Sequence, residues 1–333
     1  MSRSPSDPAY VPAYVDTQRV ATADQDWQDT FRCMASDINV RIDAGPDQAA
    51  AAFDGIVALF SQVERECTRF DPGSDLMRAN AAASDWCAVG SYCFDALVAA
   101  QRAHELTNGR FDPRVLTTLH RLGYDRSLPF REGGVEVAAQ PPAEPVRAAW
   151  QPEFDATSSQ VRIGPDPVDL GGIGKGLALR WAVETVIEAT PSFVLDAGGD
   201  CYLAGTGHDG AGWNVGVEDP FGGAEPAAVL QISDAACATS SIRLRHWTAG
   251  GAPVHHLIDP RTGAPGGGGL RAVTVVDSDP ADAEVWTKVL FLEGADGIAA
   301  AAERHAVAAL WVADDGSLSV SDAGRDYVIW QAS

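Results

Sequence analysis

Positive charge is scarce in this sequence, and lysine is scarcer still. The 333 residues carry 46 Asp and Glu against 24 Lys and Arg, a net charge of −22, and only Lys175 and Lys288 are lysines. Phosphate backbones reward basic surfaces, so this balance argues against a nucleic-acid partner. Long apolar runs are missing too. No stretch approaches the roughly 20 residues needed to cross a bilayer, so no membrane insertion is expected. The opening Met-Ser-Arg-Ser-Pro-Ser-Asp-Pro lacks the apolar core of about 7–15 residues that marks a signal peptide, and no lipobox-like cysteine follows one. The six cysteines (Cys33, Cys67, Cys87, Cys93, Cys201, Cys237) are scattered without a C-x-x-C pair, the usage of a chain in a reducing compartment. A cytoplasmic location is therefore expected.

Several catalytic signatures are absent as well. No G-x-S-x-G elbow or S-x-x-K pair occurs, which speaks against the common serine acyl enzymes. There is no H-E-x-x-H and no Cys/His zinc spacing, and no carboxylate pair stands out as a glycosidase dyad.

What is present is an ordinary globular composition, 46% hydrophobic, with strands and helices mixed but not strictly alternating. That pattern predicts an α+β fold: a flexible arm over residues 1–27 and one compact domain over 28–333. Alternating Ile38, Val40 and Ile42 predict a strand within Phe31–Ile42. Phe53, Ile56, Phe60, Val63 and Cys67 fall at helical spacing and predict a helix over 47–69. A second helix is expected from Ser91 as N-cap to Asn108, with Gly109 as the C′ stop. Residues 131–160, rich in Pro, Ala and Glu, suggest a surface excursion with a short hairpin. A strand at Val161–Ile163 leads into a Gly-rich turn at Asp169–Gly176 and a helix at Leu177–Ala189. Strands are expected at Phe193–Asp196, Cys201–Ala204, Trp213–Val217, Ala228–Ile232, Arg271–Val276, Ala306–Ala313 and Leu318–Ser321, with one helix over Pro280–Ala302.

The densest chemistry is Asp169-Leu170-Gly171-Gly172-Ile173-Gly174-Lys175-Gly176, between a strand and a helix. A helix start leaves N–H groups unpaired and carries partial positive charge. Glycines let a phosphate approach those groups, and Lys175 adds a point charge, which together make a diphosphate site. A tight packing turn would also use such glycines. The spacing is neither a P-loop nor the dinucleotide G-x-G-x-x-G, since position 177 is leucine. In His255-His256-Leu257-Ile258-Asp259-Pro260-Arg261-Thr262-Gly263, a short strand enters a turn, and His256 is either a proton acceptor near neutral pH or a surface histidine. Arg110-Phe111-Asp112-Pro113 and Val194-Leu195-Asp196-Ala197-Gly198-Gly199-Asp200 read singly as a helix exit and a hairpin, and the clustered hydroxyls of Ala238-Thr239-Ser240-Ser241 as either a phosphate or adenosine contact or a polar strand end.

Taken together and in this order, these motifs resemble the FAD:protein FMN transferase (ApbE-like) family. The resemblance runs from about Phe31 to Ala313 and includes Thr68-Arg69-Phe70, Ser74, Asn80 and Leu290-Phe291 with Gly294. It implies a single α+β domain of the ApbE-like, T-fold-related type. It also implies an activity: FAD is bound, its diphosphate is cleaved, and FMN passes to a Thr or Ser hydroxyl of an acceptor protein with release of AMP. FAD hydrolysis to FMN and AMP, or FAD binding without catalysis, are the alternatives on the same scaffold. The family positions carried over place Met34 and Phe70 near the flavin. Arg110, Phe111 and Asp112 would line the FAD pocket, Asp169, Lys175, Thr239 and Ser240 would hold FAD, and Leu257 and Ile258 would pack on it. His256 and Lys288 are the catalytic candidates, His256 as base.

The family's last helix usually carries Ala-Asp-Ala-Leu-Ser-Thr, whose Asp and Thr hold Mg²⁺. Anchoring on Leu290-Phe291 sets Glu284 on the Asp and Lys288 on the Thr, with Asp282 out of register. A magnesium site would rest on Gly172 and Glu284. Lysine cannot ligate a cation, so Lys288 either supplies a fixed charge in the metal's place or marks its loss. The family's acceptor motif, D-x-x-[ST]-G-A-[ST], is incomplete here: Asp259–Ala264 runs into Pro265, so self-flavinylation is not expected.

Overall fold

The structure, a computed structural model, describes residues 14–15, 26–130, 134–138, 149–207 and 210–332. Its spine is an eight-stranded sheet: β1 (Asp26–Cys33), β2 (Ser36–Asp43), β3 (Phe193–Ala197), β4 (Asp200–Ala204), β5 (Ala235–Ser241), β6 (Leu270–Asp277), β7 (Ala308–Ala313) and β8 (Leu318–Val320). Every neighbouring pair is antiparallel, and the order across the sheet is the order along the chain. The site elements are the excursions between these strands.

Strands buried on both faces need apolar residues at successive positions, and β3 has them. Phe193, Leu195 and Ala197 point into a core shared with helices α1 (Pro46–Cys67), α3 (Ser91–Leu106) and α5 (Gly174–Val186). Val194 points the other way, toward a small sheet built on Trp213–Val217 and Ala228–Ile232. Further along, Ala236, Ala238, Val273 and Val275 pack on α6 (Pro280–Phe291) and α7 (Gly294–His305). The result is three layers: helices, large sheet, small sheet. Each fully buried Phe or Ile in them is worth about 1.5–3 kcal/mol relative to exposure.

The α+β expectation is met. The strand expected within Phe31–Ile42 is instead a hairpin, β1 and β2 joined through Met34 and Ala35. The helix expected over Pro280–Ala302 breaks at Leu292–Gly294, with Gly294 at φ 69°. Gly90, not Ser91, precedes α3. The Glu66 carboxylate reaches over from α1 to accept the Cys93 N–H at 3.1 Å, so no side-chain cap is needed at that end. Asn108 at φ 50° takes the left-handed position after Thr107, ahead of Gly109. Helices α2 (Asp75–Ala82) and α4 (Leu116–Arg121) were not expected. Within the expected arm, Tyr14–Val15 pair with Val215 and Gly216, and β1 begins at Asp26; the rest of the arm lies outside the described residues, as do 131–133 and 139–148 of the surface excursion. No described helix is long and apolar enough to cross a membrane.

Candidate active site

A cleft opens where six segments meet: the β1–β2 hairpin tip, the end of α1, the loop after α3, the glycine loop before α5, the segment carrying Arg245 and His256, and the end of α6. Of the residues singled out in the sequence, Met34, Phe70, Arg110, Phe111, Asp112, Asp169, Gly172, Lys175, His256, Leu257, Ile258 and Lys288 line it. Thr239, Ser240 and Glu284 do not.

The hairpin tip is strained. Met34 (φ 50°) and Ala35 (φ 58°) both adopt the left-handed conformation, which two-residue hairpin loops demand and which Asn and Gly adopt at lower cost. Glu64 on α1 holds the tip by accepting the Met34 N–H at 2.9 Å, with Cys33 Sγ 3.2 Å from the same carboxylate. Burial, reinforced by Glu64, pushes the Cys33 thiol up to about 12. Behind the tip, the Arg69 guanidinium lies 4.2 Å from the ring centres of both Phe70 and Tyr124 and donates to the Tyr124 carbonyl at 2.7 Å. Phe70 stays 42% exposed on the cleft, an apolar ring braced on one face and open on the other.

The glycine loop is pinned from both ends. Asn80 makes two hydrogen bonds to the Val168 backbone, at 2.8 and 2.9 Å. Asp169 accepts the Gly171 N–H at 2.9 Å and pairs with Arg69 at 3.3 Å, so both its oxygens shape the loop. Gly172 is tight for a side chain: a Cβ there would lie 3.1 Å from Phe111 and 3.3 Å from the Lys288 stem, so one of these side chains would have to shift by a few tenths of an ångström. The helix starts at Gly174, three residues earlier than expected, because Gly174 already donates to the Leu170 carbonyl at 2.8 Å.

Lys175 points from this start onto the buried carboxylate of Asp200. Burial opposes the charge on Lys175, yet the Asp200 and Glu284 carboxylates outweigh it and hold the pKa above the ordinary lysine value. Thr239 and Ser240, expected at the ligand, are spent behind this pair. The Thr239 N–H supports Asp200 at 3.1 Å, the Thr239 hydroxyl bonds Thr274 at 2.9 Å, and the Ser240 hydroxyl bonds Thr287 at 2.7 Å. Beside them, burial raises the Asp196 carboxyl to about 6, against opposing hydrogen bonds from Gly199 and Asn39.

Asp112 lines the cleft, but its carboxylate is bidentate to Arg114 at 2.7 and 3.0 Å. Arg110 is held by Glu293 at 2.9 Å. His256 Nδ1 lies 3.3 Å from the Arg245 carbonyl. A carbonyl only accepts, so Nδ1 carries the hydrogen and Nε2 keeps its lone pair. Burial and the Arg245 charge hold the His256 pKa well below the ordinary histidine value, which keeps this imidazole in its basic form. Arg245 also lines the cleft, and with Glu64 and Tyr124 it is among the lining residues that sequence reasoning missed. No ion pair of its guanidinium is found among the described residues, and its charge bears on both Lys175 and His256. Its one signal was an arginine close before the His255–Gly263 motif.

The magnesium site expected at Gly172 and Glu284 is not what these residues build. Glu284 is buried and accepts the Gly176 N–H at 2.9 Å through one oxygen and Lys288 Nζ at 3.3 Å through the other, while its carbonyl takes the same Nζ at 3.0 Å. Asp282 lies toward Arg180, 3.9 Å away. Among the described residues, no group of three or more His, Cys, Asp or Glu converges. Burial presses the Lys288 pKa down, with Glu284 and Asp200 offsetting part of that effect.

In this antiparallel α+β fold, one cleft thus brings Lys175, Arg245 and Lys288 beside the neutral imidazole of His256. The chain matches the ApbE family over residues 34–311 and belongs to it. Among its relatives is a FAD:protein FMN transferase of Klebsiella pneumoniae, 30% identical over 161 residues, 47% of this chain and 49% of that one. Another, of Treponema pallidum, is 28% identical over 73% of this chain and 72% of its own. A third, of Rhodobacter capsulatus, is 30% identical over 90% of this chain and 58% of its own. The chain thus spans about half of the Klebsiella relative's length and under two thirds of the Rhodobacter one's. The solved structures of an ApbE protein from Thermotoga maritima (TM-score 0.78, 22% identity, 91% of this chain and 99% of that one) and of the flavin transferase ApbE from Vibrio cholerae (0.75, 21%, 91% and 99%) share the fold.

Proposed function

We propose that this chain, as one unit over residues 28–333, binds FAD in the cleft and transfers its FMN half to a Ser or Thr hydroxyl of an acceptor protein, releasing AMP. The observation that carries this reading is the convergence of Lys175, Lys288 and Arg245 on one cleft whose other walls are Met34, Phe70, Phe111, Leu257 and Ile258. A flavin needs flat apolar walls, and a diphosphate needs cations and N–H donors. The relatives' printed activity and the matching motif order add support.

In the proposed step the acceptor oxygen bonds to the FMN-side phosphorus, and the bond from that phosphorus to the bridging oxygen breaks. AMP departs with the bridging oxygen. The hydroxyl proton passes to His256 Nε2 and from there to solvent. Phosphoryl transfer asks mostly for positioning and charge neutralisation, which the three cations and the glycine loop supply. All six cysteines are free, which suits a reducing compartment, so the proposed acceptor is cytoplasmic. The net charge of −22 speaks against nucleic acid among its partners.

The test is to supply FAD together with a protein carrying the D-x-x-T-G-A-T acceptor motif and to measure acid-stable flavin on that protein alongside AMP. Equal amounts of both are expected. AMP without flavinylated acceptor would make the chain a FAD pyrophosphatase, and neither product would make it a carrier.

A further inference from the structure

Given FAD in the cleft as proposed, we infer that the Lys288 ammonium takes the place of a divalent cation, so that FAD is bound and its diphosphate neutralised without magnesium. Magnesium demands near-octahedral oxygen ligands. The local oxygens are already engaged. Glu284 is bonded through both carboxylate oxygens and its carbonyl, and the Thr287 hydroxyl is shared between Ser240 and the Glu284 carbonyl at 2.7 Å each.

The lysine also fills the space. Its Cδ and Cε would lie 3.3 and 3.4 Å from a Cβ at Gly172, so its stem crosses the loop backbone that a metal would have to touch. A side chain at 172 would press on that stem. Its ammonium carries three donors. Glu284 takes one through its carbonyl and a second through its carboxylate, which leaves one for a phosphate oxygen in the cleft that Lys288 lines.

Lys175 is paired with Asp200 and Lys288 with Glu284, and Arg245 lines the same cleft with no ion pair found among the described residues. The two lysines are the only ones in the chain, and both face this cleft. A compact ammonium serves a single phosphate oxygen as a point charge, where a guanidinium would demand two.

The experiment is calorimetric titration of FAD into the full chain stripped with chelator, run with chelator present and again with excess Mg²⁺, with FMN transfer followed under both conditions. The expected result is the same Kd within about twofold and the same transfer rate. Tenfold tighter binding with Mg²⁺, or transfer only with Mg²⁺, overturns this inference and leaves the FAD reading standing. No binding under either condition overturns the FAD reading and this inference with it. Lys288→Met is expected to weaken FAD binding on the order of ten- to hundredfold, without rescue by Mg²⁺. Rescue of Lys288→Met by Mg²⁺ to wild-type affinity would contradict the inference. Because the Met variant could misfold, the native chain gives an independent check. With only two lysine amines, acylation of Lys288 mapped by peptide mass should be blocked by FAD in chelator, and acylation unaffected by saturating FAD would overturn the inference.

Discussion

His256 shows how little a single side chain decides alone. Its proposed role rests on a backbone carbonyl that fixes the tautomer, and on burial, reinforced by a neighbouring arginine, that keeps the ring neutral. The sign of the pH effect follows. With its pKa lowered, the imidazole stays unprotonated as pH falls past the ordinary value of 6.5. Transfer by the wild type should therefore stay level through pH 6.5 in a pH–rate profile, and a decline centred there would contradict the assignment. His256→Ala should leave FAD affinity unchanged by calorimetry and slow transfer by roughly 10²–10⁴-fold. At this scale the sequence was informative where a residue sits in a motif, as Lys175, Phe111 and His256 do. Arg245 sits two residues after Arg243, which is held by Glu218; nothing local distinguishes the two arginines, and only the fold turns one into the cleft. Thr239 and Ser240 show the opposite case: hydroxyls that suggest a ligand bond Thr274 on β6 and Thr287 on α6.

Elements carry the site through close approaches that a residue pattern does not reveal. Gly176 reads as a phosphate-loop glycine, yet a Cβ there would meet the Pro280 carbonyl at 2.5 Å and Ala281 Cα at 2.6 Å. Its place is the α5–α6 contact, the same contact that lets Glu284 cap α5. Gly176→Ala should cost about 1–3 kcal/mol in denaturant unfolding by wedging the helices apart. The β1–β2 hairpin was hidden for another reason. Its loop, Met34-Ala35, lacks the Asn-Gly or Asp-Gly signature, and alternation on both sides merges into one apparent strand. Ala35→Gly should relieve strain and raise stability by about 0.5–1 kcal/mol, read as a higher unfolding midpoint. An unchanged midpoint would mean the tip is not strained. The long helix expected over Pro280–Ala302 was over-read because apolar spacing continues across Gly294, whose φ of 69° ends it.

For the whole molecule, the α+β class was legible from mixed element order, but the sheet's plan was not. Strand pairing depends on contacts far apart in sequence, such as β2 with β3 across the entire α1–α5 excursion. That plan buries Asp196 against Asn39 and beside Asp200. The folded chain keeps the Asp196 proton up to about pH 6, against an ordinary 3.8. Between those values the folded state binds more protons than the unfolded one, so this group makes stability rise as pH falls from about 6 toward 4. Asp196→Asn should flatten that rise and stabilise the chain at pH 8 by on the order of 2 kcal/mol, measured by guanidinium unfolding at pH 8 and pH 5. Loss of stability at both pH values would mean the carboxylate is held charged.

The central claim is that FAD lies in this cleft with its diphosphate at the start of α5. Calorimetric titration of FAD into the wild-type chain and into Lys175→Ala tests it most directly. The account predicts one FAD per chain for the wild type and binding weaker by about tenfold or more for the variant; equal affinity in the two proteins, or none in the wild type, would contradict it.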